Sequence, residues 1–355
     1  MNNHHFLLVS FAAQGHINPT LQLAKRLAHN GARVTFATTV RGLRSLANTL
    51  PTLDGLSYAS FSDGNDDGTR QTRDLDHLMA DFKCMGSKSL AEMLVTFSNE
   101  GRPVTFLIYN ILLPWAADVA RDMHVPSAFL FSQSATTFAV FHRFFNGHDG
   151  LYDGIITNIN PSISIKLPGL PLLTCNDLPS FLFPNNSHSS AIVPIMQEHM
   201  QTLEKDPNPC VLVNTFDALE EDSIRAIADK KVITIGPLIP SAFYDGDDPS
   251  DTSFGCDLFD GSKDYLQWLD SKPKGSVVYV SFGSLAVLQK RQMEEISKGL
   301  TGGAESPVHR LFCHALWVEF DNGEFGYRHA GCGLPAIFRP EHEYEDAGRG
   351  VGDWG

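Results

Sequence analysis

The sequence predicts an α/β fold built on a mostly parallel sheet and divided into two domains. Short apolar runs rich in β-branched and aromatic residues recur along the chain, and helical patterns stand between them. A polar, acidic, turn-forming stretch after Pro237 splits the 355 residues into two parts, each long enough to bury a core.

The first strand runs through Leu7-Leu8-Val9-Ser10 and enters the turn Gln14-Gly15-His16-Ile17-Asn18-Pro19. Gly15 suits a tight turn, Asn18 suits a helix cap and Pro19 the first helical position. A helix is therefore expected over Thr20 to Asn30, with Leu21, Ala24, Leu27 and Ala28 on one face and Gly31 as its stop. A second strand, Val34 to Thr38, completes a βαβ unit. The turn lacks GxGxxG and GxxxxGK[ST], which removes the main support for a nicotinamide or P-loop reading. His16 falls at the carboxyl end of a strand, where open α/β sheets bind ligands. An ordinary loop histidine is the competing reading.

Further strands are expected at Val104-Tyr109, Ser127-Phe131, Val211-Asn214 and Val232-Ile235, with a helix over Trp115 to Asp122. Pro161 to Pro184 reads as an ordered loop excursion. Trp115, Phe129, Phe131, Phe138, Phe141, Phe144 and Phe145 concentrate aromatic surface; they read mainly as core, with a pocket for a flat polyphenol as the alternative. Asp63, Asn65, Asp67 and Gly68 match the opening of a calcium loop. No helix pair flanks them, so a solvated acidic loop is expected. Beyond the linker, Ser262 to Leu269 suits a helix, Ser276 to Ser281 a buried strand ending at Phe282-Gly283-Ser284, and Leu288 to Leu300 an amphipathic helix.

Composition narrows the function classes. The net charge of -14, from 41 acidic and 27 basic residues, argues against a nucleic-acid partner. Six cysteines without a CxxC pair suggest neither a zinc site nor a disulfide framework, and fit reduced thiols in a cytoplasmic protein. The apolar run Phe6 to Ala13 is too short for a membrane span and lacks a signal peptide's basic flank. No G-x-S-x-G elbow supports a hydrolase.

The His16 turn and Ser276 to Ser284 together resemble the plant UDP-dependent glycosyltransferases. Phe61 to Gly68, Val211 to Leu219 and Ile235-Gly236-Pro237-Leu238 narrow the likeness toward the anthocyanin 5-O-glucosyltransferase and crocetin glucosyltransferase group. The likeness runs from Phe6 to about Leu300. It implies two Rossmann-like domains of the GT-B type, the second incomplete: 1–238 for the acceptor, 239–262 as linker, and 263–300 as the start of the UDP-sugar domain. It implies a small-molecule acceptor, such as a flavonoid or anthocyanin, with UDP-glucose as co-substrate and no cofactor or metal. His16 would deprotonate an acceptor hydroxyl, which then attacks the anomeric carbon with inversion. Asn110 takes the position of an Asp that orients this histidine in many members. The same likeness places Gln14, Gly15, Trp115 and Ser132 against the acceptor, and Gly283 and Ser284 against the donor.

Thr301 to Gly355 departs from the family. It lacks the donor signature with its His-Cys-Gly-Trp-Asn-Ser core and has no regular hydrophobic period, so poor order is expected there. Read one nucleotide later from the codon of Leu311, the degenerate code permits CFVTHCGWNSTMESL and, further on, PQFSDQSTN. The tail is thus read as donor-site DNA translated out of frame. The alternative function is a catalytically inactive remnant that binds acceptor only or has no role.

Overall fold

In the computed structural model the described residues are 4–67, 75–146, 164–179, 182–183, 189–227, 229–244, 246, 248–253, 269–271, 273, 291–292, 295, 311–313, 316–321 and 324–328. The chain divides into two compact units, Met1–Cys256 and Asp257–Gly355.

The first unit is wound on a seven-stranded sheet. Its strands are β1 (His5–Val9), β2 (Arg33–Thr39), β3 (Leu56–Phe61), β4 (Phe106–Asn110), β5 (Ser127–Phe131), β8 (Cys210–Val213) and β9 (Lys231–Thr234). The order is β3-β2-β1-β4-β5-β8-β9, and every pairing is parallel. Parallel neighbours need crossovers, and helices supply them: α1 (Gln14–His29), α2 (Val40–Leu46), α3 (Leu75–Asn99), α4 (Trp115–Asp122), α5 (Ala135–Asn146), α6 (Ser189–Lys205) and α7 (Asp217–Arg225). Between α5 and α6 the excursion folds as a two-stranded ribbon of β6 (Ser164–Ile165) and β7 (Leu173–Thr174).

Alternation along the strands builds a core on each face. Leu7, Val9, Leu107, Tyr109, Phe129, Phe131, Val211 and Val213 share one cluster with Trp115 of α4, Phe138 and Phe141 of α5 and Met196 and Met200 of α6. Leu8, Val34, Ile108, Leu130 and Leu212 share the other with Leu23, Ala24 and Ala28 of α1. Phe129, Phe131, Phe138 and Phe141 are fully buried, as their core reading expected, while Phe144 and Phe145 pack at the margin.

Two expectations are corrected. Helix α1 begins at Gln14, with Ala13 as its extended cap residue, and Pro19 lies inside it. The Pro19 ring carries no N–H to complete the helical ladder. On either side of it Ile17 N–H bonds Ala13 O (2.9 Å) and Thr20 Oγ1 donates to His16 O (2.7 Å). Asn18 therefore does not cap; its Oδ1 accepts from Gln14 Nε2 at 3.0 Å.

The segment after Leu238 lies against α1. Arg26 donates to the carbonyls of Ile235 (3.1 Å), Pro237 (2.5 Å) and Ile239 (3.3 Å), and its guanidinium stacks 4.6 Å from the Tyr244 ring centre. Lys25 pairs with Asp251, both nearly buried, and Gln22 Nε2 reaches Ser253 O at 2.8 Å.

The described part of the second unit includes a small antiparallel sheet of β10 (Leu311–Cys313), β11 (Leu316–Asp321) and β12 (Glu324–Arg328). In the β11–β12 register Trp317 opposes Arg328 and Asp321 opposes Glu324. Among the described residues no helix is long and apolar enough to cross a membrane.

Candidate active site

The carboxyl ends of β1, β4 and β5 are neighbours, and the sequence-predicted acceptor-side residues gather near them. His16 stands in the first turn of α1, partly exposed. Its Nδ1 is buried with no hydrogen-bond partner, and the Phe11 ring meets the imidazole edge-on at 5.7 Å and 88°. Burial lowers the His16 pKa to about 4, because charging the ring would cost hydration with no counter-charge in return. The imidazole is therefore neutral at physiological pH.

Asn110, at the end of β4 and 1% exposed, does not reach that ring. Its Nδ2 donates to Ser10 Oγ (2.8 Å), Thr20 Oγ1 (3.3 Å) and, more weakly, His16 O (3.5 Å), while its Oδ1 accepts from Phe11 N–H (3.1 Å). The amide thus ties β1, β4 and α1 together beneath His16 and fixes the backbone of the turn. A carboxylate has no hydrogen to donate to these oxygens, so this environment suits an amide.

Gln14 is turned inward onto Asn18, and Gly15 is exposed with open space where a Cβ would stand. The glycine keeps an ordinary φ; its contribution is an uncovered surface next to His16. Trp115 is core: 2% exposed, it meets Phe61 at 6.0 Å and Phe82 at 5.6 Å, both edge-on. Its Nε1 is buried without a partner. Phe82 also meets Phe11 at 5.5 Å, so an aromatic chain runs from Trp115 through Phe82 and Phe11 to His16. Sequence reasoning missed Phe11 and Phe82. Phe11's position directly after the first strand was the one available signal; Phe82 reaches the site from a helix distant in sequence. Ser132, just past β5, is half-buried, and its carbonyl accepts from Asn214 Nδ2 at 3.2 Å. Gly283 and Ser284 lie outside the described residues.

The acidic loop forms a local turn, Asp63 Oδ1 accepting Asn65 N–H at 2.8 Å. Among the described residues His142, Glu204 and Asp229 come close enough to share a metal ion. Lys230 Nζ already bonds both carboxylates, at 2.7 and 2.8 Å, and supplies the positive charge there. A polar hollow of about 380 Å³ between α3, α4 and α6 is lined by Lys83, Asp118, Glu198 and Lys205, away from His16.

No family model matches the chain. Among curated proteins it is 51% identical to phloretin 4'-O-glucosyltransferase of Malus domestica over 84% of its own length and 63% of the relative's. It is 48% identical to the chloroplastic crocetin glucosyltransferase of Gardenia jasminoides over 83% and 63%. It is also 47% identical to UDP-glycosyltransferase 75C1 of Solanum lycopersicum over 90% and 68%. The chain thus spans about 63% of the length of the first two. Among solved structures it superposes on Os79 from O. sativa in complex with UDP, with a TM-score of 0.69 at 31% identity, over 84% of this chain and 66% of that one. These likenesses bear out the α/β class of the GT-B type, with the second domain represented in part. The chain belongs to the plant UDP-glycosyltransferase family.

Proposed function

We propose that this chain serves the transfer of glucose from UDP-glucose to a hydroxyl or carboxyl of a small plant metabolite such as a flavonoid, with inversion and with His16 as the general base. The observation that carries this is a partly exposed imidazole at the strand edge, its Nδ1 without a hydrogen-bond partner and its ring against Phe11. An aromatic acceptor packed on the Phe11 ring, which Phe82 backs from the core, brings its hydroxyl to the imidazole. As the hydroxyl oxygen bonds to the anomeric carbon, His16 takes its proton, the bond from that carbon to the diphosphate breaks, and UDP leaves with the electron pair. With one base and no counter-ion, much of the acceleration falls to holding the two substrates in line. Asn110 contributes by fixing the turn beneath the base. The reaction needs no redox cofactor.

The test is direct. Purified chain incubated with UDP-glucose and an acceptor panel including phloretin yields a glucoside, and His16→Ala abolishes it. Product at the same rate from His16→Ala would remove the base assignment.

A second reading, a catalytically inactive remnant, has its own observation: Thr301 to Gly355 lacks the donor signature in frame but permits it one nucleotide later. Under it the chain binds phloretin without turnover. Sequencing the transcript across the Leu300/Thr301 codons separates the two, since an uninterrupted frame with no nearby in-frame donor signature would sink the frame-shift account.

A further inference from the structure

The chain leaves β5 through Ser132, Gln133 and Ser134 before α5 begins at Ala135. A helix start exposes N–H groups that have no acceptor within the helix. Glu220 supplies one from a distant part of the chain: its carboxylate accepts from Ala135 N–H (2.9 Å), Thr136 N–H (3.0 Å) and Thr136 Oγ1 (2.7 Å). It reaches them from a break in α7, where its φ of -135° and ψ of 35° are not helical. Burial opposes its charge, yet the bonds from Thr136 and Ala135 prevail and hold the carboxyl below the usual carboxylate range.

Asn214, at the start of the same β8–α7 connection, grips the other side of the loop. Its N–H donates to Phe131 O and its Nδ2 to Ser132 O, both at 3.2 Å. Its Oδ1 accepts Leu238 N–H at 2.8 Å, where the chain turns away from the sheet. Gly236 packs so closely on Asn214 that a Cβ there would stand 2.6 Å from its carbonyl carbon. The loop after β5 is thereby held at both ends by one connection.

We propose that Glu220 and Asn214 are positioning residues for the acceptor: they fix Ser132 to Thr136 at the strand edge that carries His16. This rests on the acceptor-side reading given above. A local cap is already present, Ser134 Oγ accepting Thr137 N–H at 3.2 Å, so the Glu220 carboxylate is more than capping alone requires. Two long-range fastenings on one short loop instead make its position depend on the β8–α7 connection, and so on the point where the chain leaves the sheet.

The experiment uses the full chain, with phloretin as the probe and binding read by quenching of intrinsic fluorescence. Glu220→Gln turns an NH2 group toward N–H donors that now meet a carboxylate oxygen. Asn214→Asp removes the donor to Ser132 O but keeps the acceptor for Leu238 N–H. Each is expected to weaken phloretin binding about tenfold, roughly the worth of one hydrogen bond. Glu221→Gln, at an exposed neighbour paired with Arg225, leaves binding unchanged. A lowered melting midpoint with an unchanged dissociation constant overturns the proposal, leaving only a stabilising role. Failure of the unaltered chain to bind phloretin or crocetin removes the acceptor reading instead. Amide exchange then still judges the fastening: Ala135 and Thr136 must exchange faster in Glu220→Gln, and unchanged rates refute it.

Discussion

His199 is the most exacting test of the packing. It lies on α6, fully buried, with neither ring nitrogen hydrogen-bonded. Its imidazole is stacked on Phe129 at 4.2 Å and on Tyr109 at 5.9 Å. Burial alone lowers its pKa to about 3. The unfolded chain, with an ordinary histidine, binds a proton near pH 6.5 that the folded chain refuses, so stability falls as pH drops below 6.5 and keeps falling toward 3. Linkage between these two values gives a loss of about 0.8 kcal/mol at pH 6 and about 2 kcal/mol at pH 5. His199→Phe keeps an aromatic ring in the stack and removes the titration. The assay is urea unfolding at pH 7 and pH 5, followed by circular dichroism. His5, His16 and His142, whose pKa values are also lowered, titrate alike in both proteins and cancel in the difference. The variant is expected to lose about 2 kcal/mol less than the parent between the two pH values. Equal losses would show that His199 is solvated or paired in solution, and would refute the reasoning.

Three further outcomes follow from the same physics. His16, followed by NMR of its ring protons, should titrate near 4, and the acid limb of any transfer activity should fall with it; a midpoint near 6.5 would mean the ring is hydrated. Gly86→Ala puts a Cβ 2.6 Å from the Trp115 ring, an overlap that should cost about 1–3 kcal/mol and lower the melting midpoint, against the slight gain alanine brings to a helix. Lys25→Met strands Asp251, whose side chain is 10% exposed, and should cost about 3 kcal/mol while speeding proteolysis within 239–253; an unchanged cleavage rate would show that the pair holds nothing in place.

The parallel sheet was legible because each strand is an apolar run and each crossover a periodic helix. Pro19 misled the reading of α1: a proline suits a helix start, but here the helix begins earlier, at Gln14, and Pro19 lies inside it. The acidic stretch after Pro237 read as an interdomain linker; the pairing of its Asp251 with Lys25 and of its Tyr244 with Arg26 are contacts no local pattern encodes. At the site, His16 was legible from its place after a strand. The direction in which Asn110 points was not, because it depends on Ser10 and Thr20 converging from two other elements. Glu220 was invisible for the same reason: a carboxylate on a polar helix looks solvated until the fold brings a helix start to meet it.

The depressed pKa of His16 bears on which acceptors suit this site. A base held near 4 is neutral across the physiological range, but its conjugate acid is strong, so proton transfer from an ordinary alcohol is steeply uphill. A phenol, with a pKa near that of tyrosine at about 10, gives up its proton far more readily, and a carboxyl group is already ionised. Asn110 is turned toward the Ser10 and Thr20 hydroxyls and the His16 carbonyl, and offers no charge to stabilise an imidazolium. With His16 as the base proposed above, the site would favour acidic acceptors over aliphatic alcohols. In an acceptor panel, phenols and carboxylates should outrun aliphatic alcohols of similar shape, and equal rates for the alcohols would mean that a counter-charge reaches His16 once substrate is bound.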